Sequence, residues 1–270
     1  MLTIRQAHAK RVKQRSITIA VISTIAAIAL VYFLVPLAPG WPAVKKSFFN
    51  AEIFIKTFPT LLDAFMLDVM IFLWCAPLIA ILGLIIALCR DVRSPALYPL
   101  RLFGAIYTDV LRGIPVVLIV YLIGFGVPGL GLSRPWNSPY IWGSLALILT
   151  YSAYVAEIFR SGIESVHSSQ RAAAESLGLS PSDTMRFVVL PQAIRRVVPA
   201  NMNMFIALQK DVALLSFIGP VEVLRQAGVY KSLYANFTPY VAAAVIFLII
   251  TIPATRFADH LMSKQQRERS

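Results

Sequence analysis

The chain is short of charge. Asp, Glu, Lys and Arg make up 14% of its 270 residues, where a soluble domain carries roughly a quarter. That shortage excludes an ordinary water-soluble enzyme and a disordered tail. Two cysteines are too few for a disulfide scaffold. Both, Cys75 and Cys89, fall in one apolar run, where packed thiols are a simpler account than a disulfide or metal pair. Histidine is as scarce: His8, His167 and His260 lie outside the apolar runs and have no metal-ligand spacing. The pair Gly-Lys never occurs, so there is no Gly-rich phosphate loop. No Gly-x-Ser-x-Gly is present either, and no nucleophile–base arrangement is visible. Acidic residues number 13 against 25 basic ones, a net charge of +12. In a soluble chain this excess would suggest nucleic-acid binding. In a chain that is 58% hydrophobic it is better read as topology.

What is present is apolar sequence in long runs, the mark of a polytopic membrane protein. Six spans can be drawn: Ile17–Pro36, Ala64–Cys89, Gly113–Leu132, Pro139–Phe159, Val197–Gly219 and Pro239–Thr255. The first, of about 20 residues, is long enough to cross a roughly 30 Å hydrocarbon core and longer than a signal-peptide h-region, so it is expected to be retained. The fifth is interrupted by Asn201, Asn203, Gln209, Lys210 and Asp211. With six spans the termini share a side. The tails and the loops on that side hold 18 Lys and Arg against six on the other, which places both termini in the cytoplasm. Pro77, Pro115 and Pro253 fall inside spans, as kinks or as openings in the backbone.

The longest cytoplasmic segment, Arg160 to Arg196, has 37 residues, too many for a helix–helix connection without structure of its own. Two short helices are expected in it. Ser169 caps the first, which runs through Gln170, Ala172, Ala173, Ala174 and Leu177 to Gly178 as a left-handed terminator. Ser180 caps the second, with Pro181 at its first position and Asp183 completing a capping box. Met185, Val188 and Val189 share one face, and Pro191 ends it. Three consecutive alanines let another surface approach closely. That surface is either the protein's own bundle or a groove on a cytoplasmic partner.

At this segment the chain resembles the ATP-binding cassette importer permeases. Their loop motif is Glu-Ala-Ala, three residues, Gly, nine residues, an Ile-type residue, any residue, then Leu-Pro. Ala172-Ala173-Ala174, Gly178, Val188 and Leu190-Pro191 fit that spacing without a gap. Further features resemble the polar amino-acid branch, the histidine, glutamine and arginine type. They are Arg112-Gly113-Ile114-Pro115, Ala153 to Arg160, Gln170, Leu190-Pro191-Gln192-Ala193 and Lys210-Asp211. The resemblance covers roughly Phe58 to Leu261. It departs where the family Glu is Ala172, the Gly before Gln170 is Ser169, the Thr of Arg-Gly-Thr-Pro is Ile114, and the Thr-Ser after Lys-Asp is Val212-Ala213. The first helix is extra to the commonest five-span core.

The resemblance implies an all-α polytopic membrane protein with the type I importer permease fold, six transmembrane helices and a cytoplasmic coupling-helix loop. Residues 1–62 would form a basic tail, the extra helix and an outer loop. Residues 63–261 would form the permease core with its coupling loop 160–196, and 262–270 a cytoplasmic tail. It implies a transporter subunit of a bacterial inner membrane, not an enzyme, that moves a polar or charged amino acid by alternating access. The expected partners are a separate ATPase subunit, an extracytoplasmic amino-acid-binding protein and a second permease, identical or different. No cofactor is expected in this chain; ATP and Mg would sit on the ATPase. Coupling would fall to Ser169, Gln170, Ala172, Ala173, Ala174, Gly178, Leu190 and Pro191. The substrate path or gate would fall to Tyr154, Glu157, Asn203, Lys210 and Asp211.

Physical reasons support attention to the last group, because each ionised side chain in a bilayer costs roughly 2.5–3.5 kcal/mol on insertion scales. Lys210 and Asp211 are adjacent, hence about 100° apart on a helix, so each needs a partner beyond its own helix or a polar cavity. Glu157 and Arg160 are placed for an i,i+3 bridge. Arg112 is expected to snorkel at the inner surface, and Asp68 to reach the headgroups from one turn inside its span. An ion-gradient-driven carrier with charges on a broken helix remains the competing class.

Overall fold

The structure, a computed structural model, describes residues 2–92 and 94–267. It is all helix, with no strand among the described residues. The last three residues of the C-terminal tail lie outside them.

The first predicted span sits in α1 (Leu2–Leu34), which runs on through a 3-10 turn over Val35–Leu37. None of its apolar stretch, Ser16–Leu37, is buried. A short α2 (Trp41–Phe48) follows. It is tied to the far end of the chain: the Phe237 amide donates to the Ser47 carbonyl at 2.7 Å, the Asn236 amide group donates to the Lys46 carbonyl, and Phe48 stacks on Phe237.

The second span begins earlier than predicted. α3 (Ala51–Asp91) is one helix of 41 residues, capped by Asn50, whose side chain accepts from the Ile53 amide. Lys56, expected in the outer loop, lies inside it. At about 1.5 Å per residue α3 is roughly 60 Å long, so it crosses the membrane and extends beyond it.

The third span is broken. Most of the expected loop from Arg90 to Arg112 is itself a helix, α4 (Tyr98–Gly113), packed on α3 and α6. After Gly113 the chain turns, and the two segments meet at 103°. Pro115 then opens α5 (Val116–Gly126). With 11 residues, roughly 17 Å, α5 is too short to cross the core alone. The residue before a proline is pushed away from helical backbone, which is why Ile114 is extended and the run breaks there.

The core centres on α6 (Pro139–Glu164), which packs against α3, α4, α5 and α9. Small residues make those crossings possible. A Cβ on Gly83 would lie 2.6 Å from Val155 Cγ1, and one on Gly162 would overlap Val197. After α7 (Ser168–Ser176) and one turn of α8 (Pro181–Asp183), the helix widens into a π turn at Thr184–Val189. It continues as α9 (Leu190–Asp211), then as a 3-10 segment to Ile218. Pro191 therefore does not end the helix. The wider turn ahead of it accommodates the missing amide. Beyond Gly219, at φ 135, α10 (Val223–Tyr234) leaves at 52°, and α11 (Thr238–Arg267) completes the chain. Four helices are long and apolar enough to span singly; counting each bent pair as one span makes six. Both cysteines are free, Cys75 buried and Cys89 half-buried.

Candidate functional site

Two regions collect the predicted site residues: the α7–α8 segment, and one face of α6.

In the first, the cap is not where it was expected. His167, two residues ahead of Ser169, occupies the N-cap, and its Nδ1 takes the Ser169 amide at 3.2 Å. Ser169 itself sits inside the first turn, its hydroxyl 2.7 Å from the same ring nitrogen. Gly178 does terminate the helix in the left-handed region, at φ 87, and the Leu179 amide closes back on the Ala174 carbonyl at 3.2 Å. Ser180 caps the next turn by accepting from the Asp183 amide at 3.1 Å. The second half of the expected box differs: the Asp183 carboxylate accepts from the Ser180 hydroxyl.

This segment has an inner and an outer face. Ala174, Thr184 and Val189 are buried, and Met185 packs against the main core. The Arg171 guanidinium reaches the Ile163 carbonyl and Asp91, which fastens α7 to α6 and α3. Pointing the other way, Ser169, Gln170, Ala172, Ala173 and Gly178 are exposed, as are Leu177 at 82% and Phe187 at 62%. Pro191 is exposed and Leu190 half-buried. Of the predicted group only Ala174 is turned wholly inward.

The second region is a ladder of polar contacts along α6. Tyr151, Tyr154 and Glu157 recur every three residues and so form one stripe. At one end the Tyr151 hydroxyl donates to Asp211 Oδ2 at 2.7 Å. The Tyr151 and Tyr154 rings are 6.2 Å apart, and the Arg112 guanidinium lies over Tyr154 at 5.7 Å. At the other end Glu157 gathers three cations. Arg90 Nη1 donates to Oε2 at 2.6 Å, Arg160 Nε donates to Oε1 at 2.9 Å, and Arg112 Nη1 stands 3.5 Å from Oε2. Arg160 also pairs with Glu164. Thr108 on α4 accepts from Arg90 at 2.9 Å, so α3, α4 and α6 are joined at one node. A cavity of about 610 Å³ opens beside it between α6 and α9, with Glu157, Ser161, Ser165 and Arg196 among its walls.

The structure thus brings Tyr154, Glu157 and Asp211 together through residues the sequence did not single out: Arg90, Thr108 and Tyr151. Arg112 does not simply snorkel; it turns onto Tyr154 and Glu157. Asn203 and Lys210 are exposed on α9 and do not join the ladder. Asp68 also departs from expectation. It is fully buried, and among the described residues neither carboxylate oxygen makes a hydrogen bond of ordinary geometry. It lies beside Glu222, equally buried, which caps α10 by accepting the Leu224 and Arg225 amides. Among the described residues, no group of three or more His, Cys, Asp and Glu is arranged to hold a metal ion.

Residues 17–267 match the family described as the binding-protein-dependent transport system inner membrane component, and the chain belongs to that family. It is 35% identical over 222 residues to a probable amino-acid permease protein of Bacillus subtilis (strain 168), covering 80% of this chain and 97% of that one. It is 31% identical over 205 residues to the arginine transport system permease protein of the same organism, covering 74% and 90%. Among solved structures it is similar to an amino acid ABC transporter crystallised with histidines: TM-score 0.70, 32% identity, 78% of this chain and 96% of that one. A bacterial alginate ABC importer shares the fold at 14% identity and TM-score 0.54, and covers 93% of this chain. The fold is that of a type I ABC importer permease.

Proposed function

We propose that this member of the binding-protein-dependent transport family carries a polar or charged amino acid inward across the bacterial inner membrane. Relatives named as amino-acid and arginine permeases support the substrate class. The chain has no phosphate loop, so ATP and Mg are held by a separate ATPase subunit. A second permease, identical or different, completes the pathway, and an extracytoplasmic binding protein delivers the amino acid. Both termini and the α7–α8 segment lie in the cytoplasm, in keeping with the distribution of Lys and Arg.

One observation carries the coupling role. α7 is pinned to the bundle by Arg171 and Ala174, yet its Ala172 and Ala173, with Leu177 at its end and Phe187 in the π turn, are exposed. Small residues flanked by large apolar ones suit insertion into a groove on the ATPase. Closure of the ATPase pair on ATP would then push on α7, and ATP must bind the two transport states differently for that push to switch the pathway. Tyr154, Glu157 and Asp211 form the gate in this reading, with Asn203 and Lys210 on the pathway wall.

The test is to extract the C-terminally tagged chain gently from its native membrane and identify what copurifies. A stoichiometric ATPase, lost in Ala173→Glu, is the expected result. A folded chain that comes out alone, and whose transport collapses with the ion gradient, would replace this reading with a gradient-driven carrier.

A further inference from the structure

We propose that Arg112 is the receptor for the α-carboxylate of the transported amino acid, a step that rests on the importer reading above. Three guanidiniums surround Glu157, but they are not held alike. Arg90 has two acceptors, Glu157 and Thr108, and Arg160 has two carboxylates. Arg112 has a 3.5 Å approach to Glu157 and no hydrogen bond among the described residues. It is also the most exposed of the three, at 39%. Apart from that long ion pair with Glu157, the donors of this planar cation are unused among the described residues and open to a further acceptor.

The charge balance points the same way. Arg90, Arg112 and Arg160 face Glu157 and Glu164, so the node carries one cation more than its anions neutralise. A surplus cation of this kind, close to the inner surface, draws an anion towards it. The geometry of a guanidinium favours a carboxylate, which it binds with two parallel bonds. The Arg112 guanidinium lies over the Tyr154 ring at 5.7 Å, and Arg112 is one residue before the end of α4, next to the 103° break. Glu157, three residues on from Tyr154, is the acceptor available to a substrate ammonium once Arg112 swings towards the carboxylate. The site therefore reads the main-chain part of the substrate, common to all amino acids, and rejects the corresponding amines.

The experiment uses the permease–ATPase complex in nanodiscs without the binding protein, so that only the membrane site is read. The twenty common amino acids are screened for a shift in the unfolding midpoint, and each that shifts it is compared with its decarboxylated amine, such as agmatine for arginine or histamine for histidine. The expected result is a shift with the amino acid and none with the amine. Arg112→Gln should abolish it and Arg112→Lys retain part of it. In transport, Arg112→Gln should raise KM on the order of tenfold or more, the loss expected for a charge-assisted hydrogen bond. An equal shift from amine and amino acid, no shift from any amino acid, or a wild-type response in Arg112→Gln would each overturn the assignment. The wild-type comparison stands even if the variant does not fold. None of these outcomes touches the importer reading, which depends on the copurified ATPase.

Discussion

Two helices of this chain, α1 and α6, are each long enough to cross a bilayer, and they meet its demands in opposite ways. α1 is the more apolar, yet none of its spanning stretch is buried, against 61% for α6. Its exposed side chains are large: Ile22, Ile25, Ile28, Leu30, Val31 and Phe33. Among the residues that α6 buries, small and polar ones such as Gly143, Ser144, Ala146, Thr150, Ser152, Ala156 and Gly162 stand beside larger ones such as Leu147, Phe159 and Ile163. In lipid, apolar side chains gain nothing by leaving the hydrocarbon for one another, so association follows from close backbone approach and hydrogen bonds. Within this bundle, hydropathy therefore finds the span, while small and polar residues mark the helix at its centre.

Substitutions at the crossings should break this contrast most severely. Gly162→Leu drives a side chain into Val197 and the Ala193 carbonyl. Overpacking costs typically about 1–3 kcal/mol and more where backbone is met. Little monodisperse protein should survive extraction, whereas Ala27→Leu on α1 should behave as wild type in size-exclusion chromatography. Next comes Glu157→Ala, which leaves three guanidiniums without their shared anion. A loss of about 2 kcal/mol is expected, below that of a fully buried pair because the carboxylate is partly wetted. Its measure is the midpoint of thermal unfolding in nanodiscs.

Gly178→Val should separate stability from function. The left-handed backbone there costs a branched residue about 1–2 kcal/mol, but the space around it is open. The strain stays in the α7–α8 segment, so the midpoint should move little while ATP hydrolysis continues without transport. Intact coupled transport would refute the role of that turn. The smallest effect belongs to α1. Replacing Ile22, Ile25 and Ile28 together by Leu should change stability by less than about 0.5 kcal/mol. A larger drop, seen only when partner subunits are present, would show that α1 packs on one of them.

Features that depend on a few neighbouring residues were legible in the sequence. The Gly178 terminator and the Ser180 cap lie within one turn of the backbone they complete. The apolar runs located α1, α6 and α11 for the same reason. Ser169 and His167 are two residues apart and both can cap, so the wrong one was favoured. The break in the third span had a local signal in Gly113-Ile114-Pro115, but the uninterrupted apolar run beyond it read as a full span. Asp68, expected one turn inside a span drawn from Ala64, sits some four to five turns into a helix that starts at Ala51. Nothing local could show that Arg90, 67 residues before Glu157, shares its carboxylate. Such a pairing exists only once α3, α4 and α6 have packed.

The unbroken passage of the chain through the π turn ahead of Pro191 has a mechanical consequence. From Pro181 to Ile218 the backbone runs as one helical rod, roughly 55 Å long at 1.5 Å per residue. It is gripped near its midpoint, where Val197 lies against Gly162. A rod held there behaves as a seesaw. Tilting it by about five degrees moves each end by some 2–3 Å, in opposite directions. One end adjoins α7 and the other packs on α5 and α6 at Gly124 and Gly143. A push on the first end would draw the second away from its seat, so the two mouths of the pathway need no separate signals to open in turn.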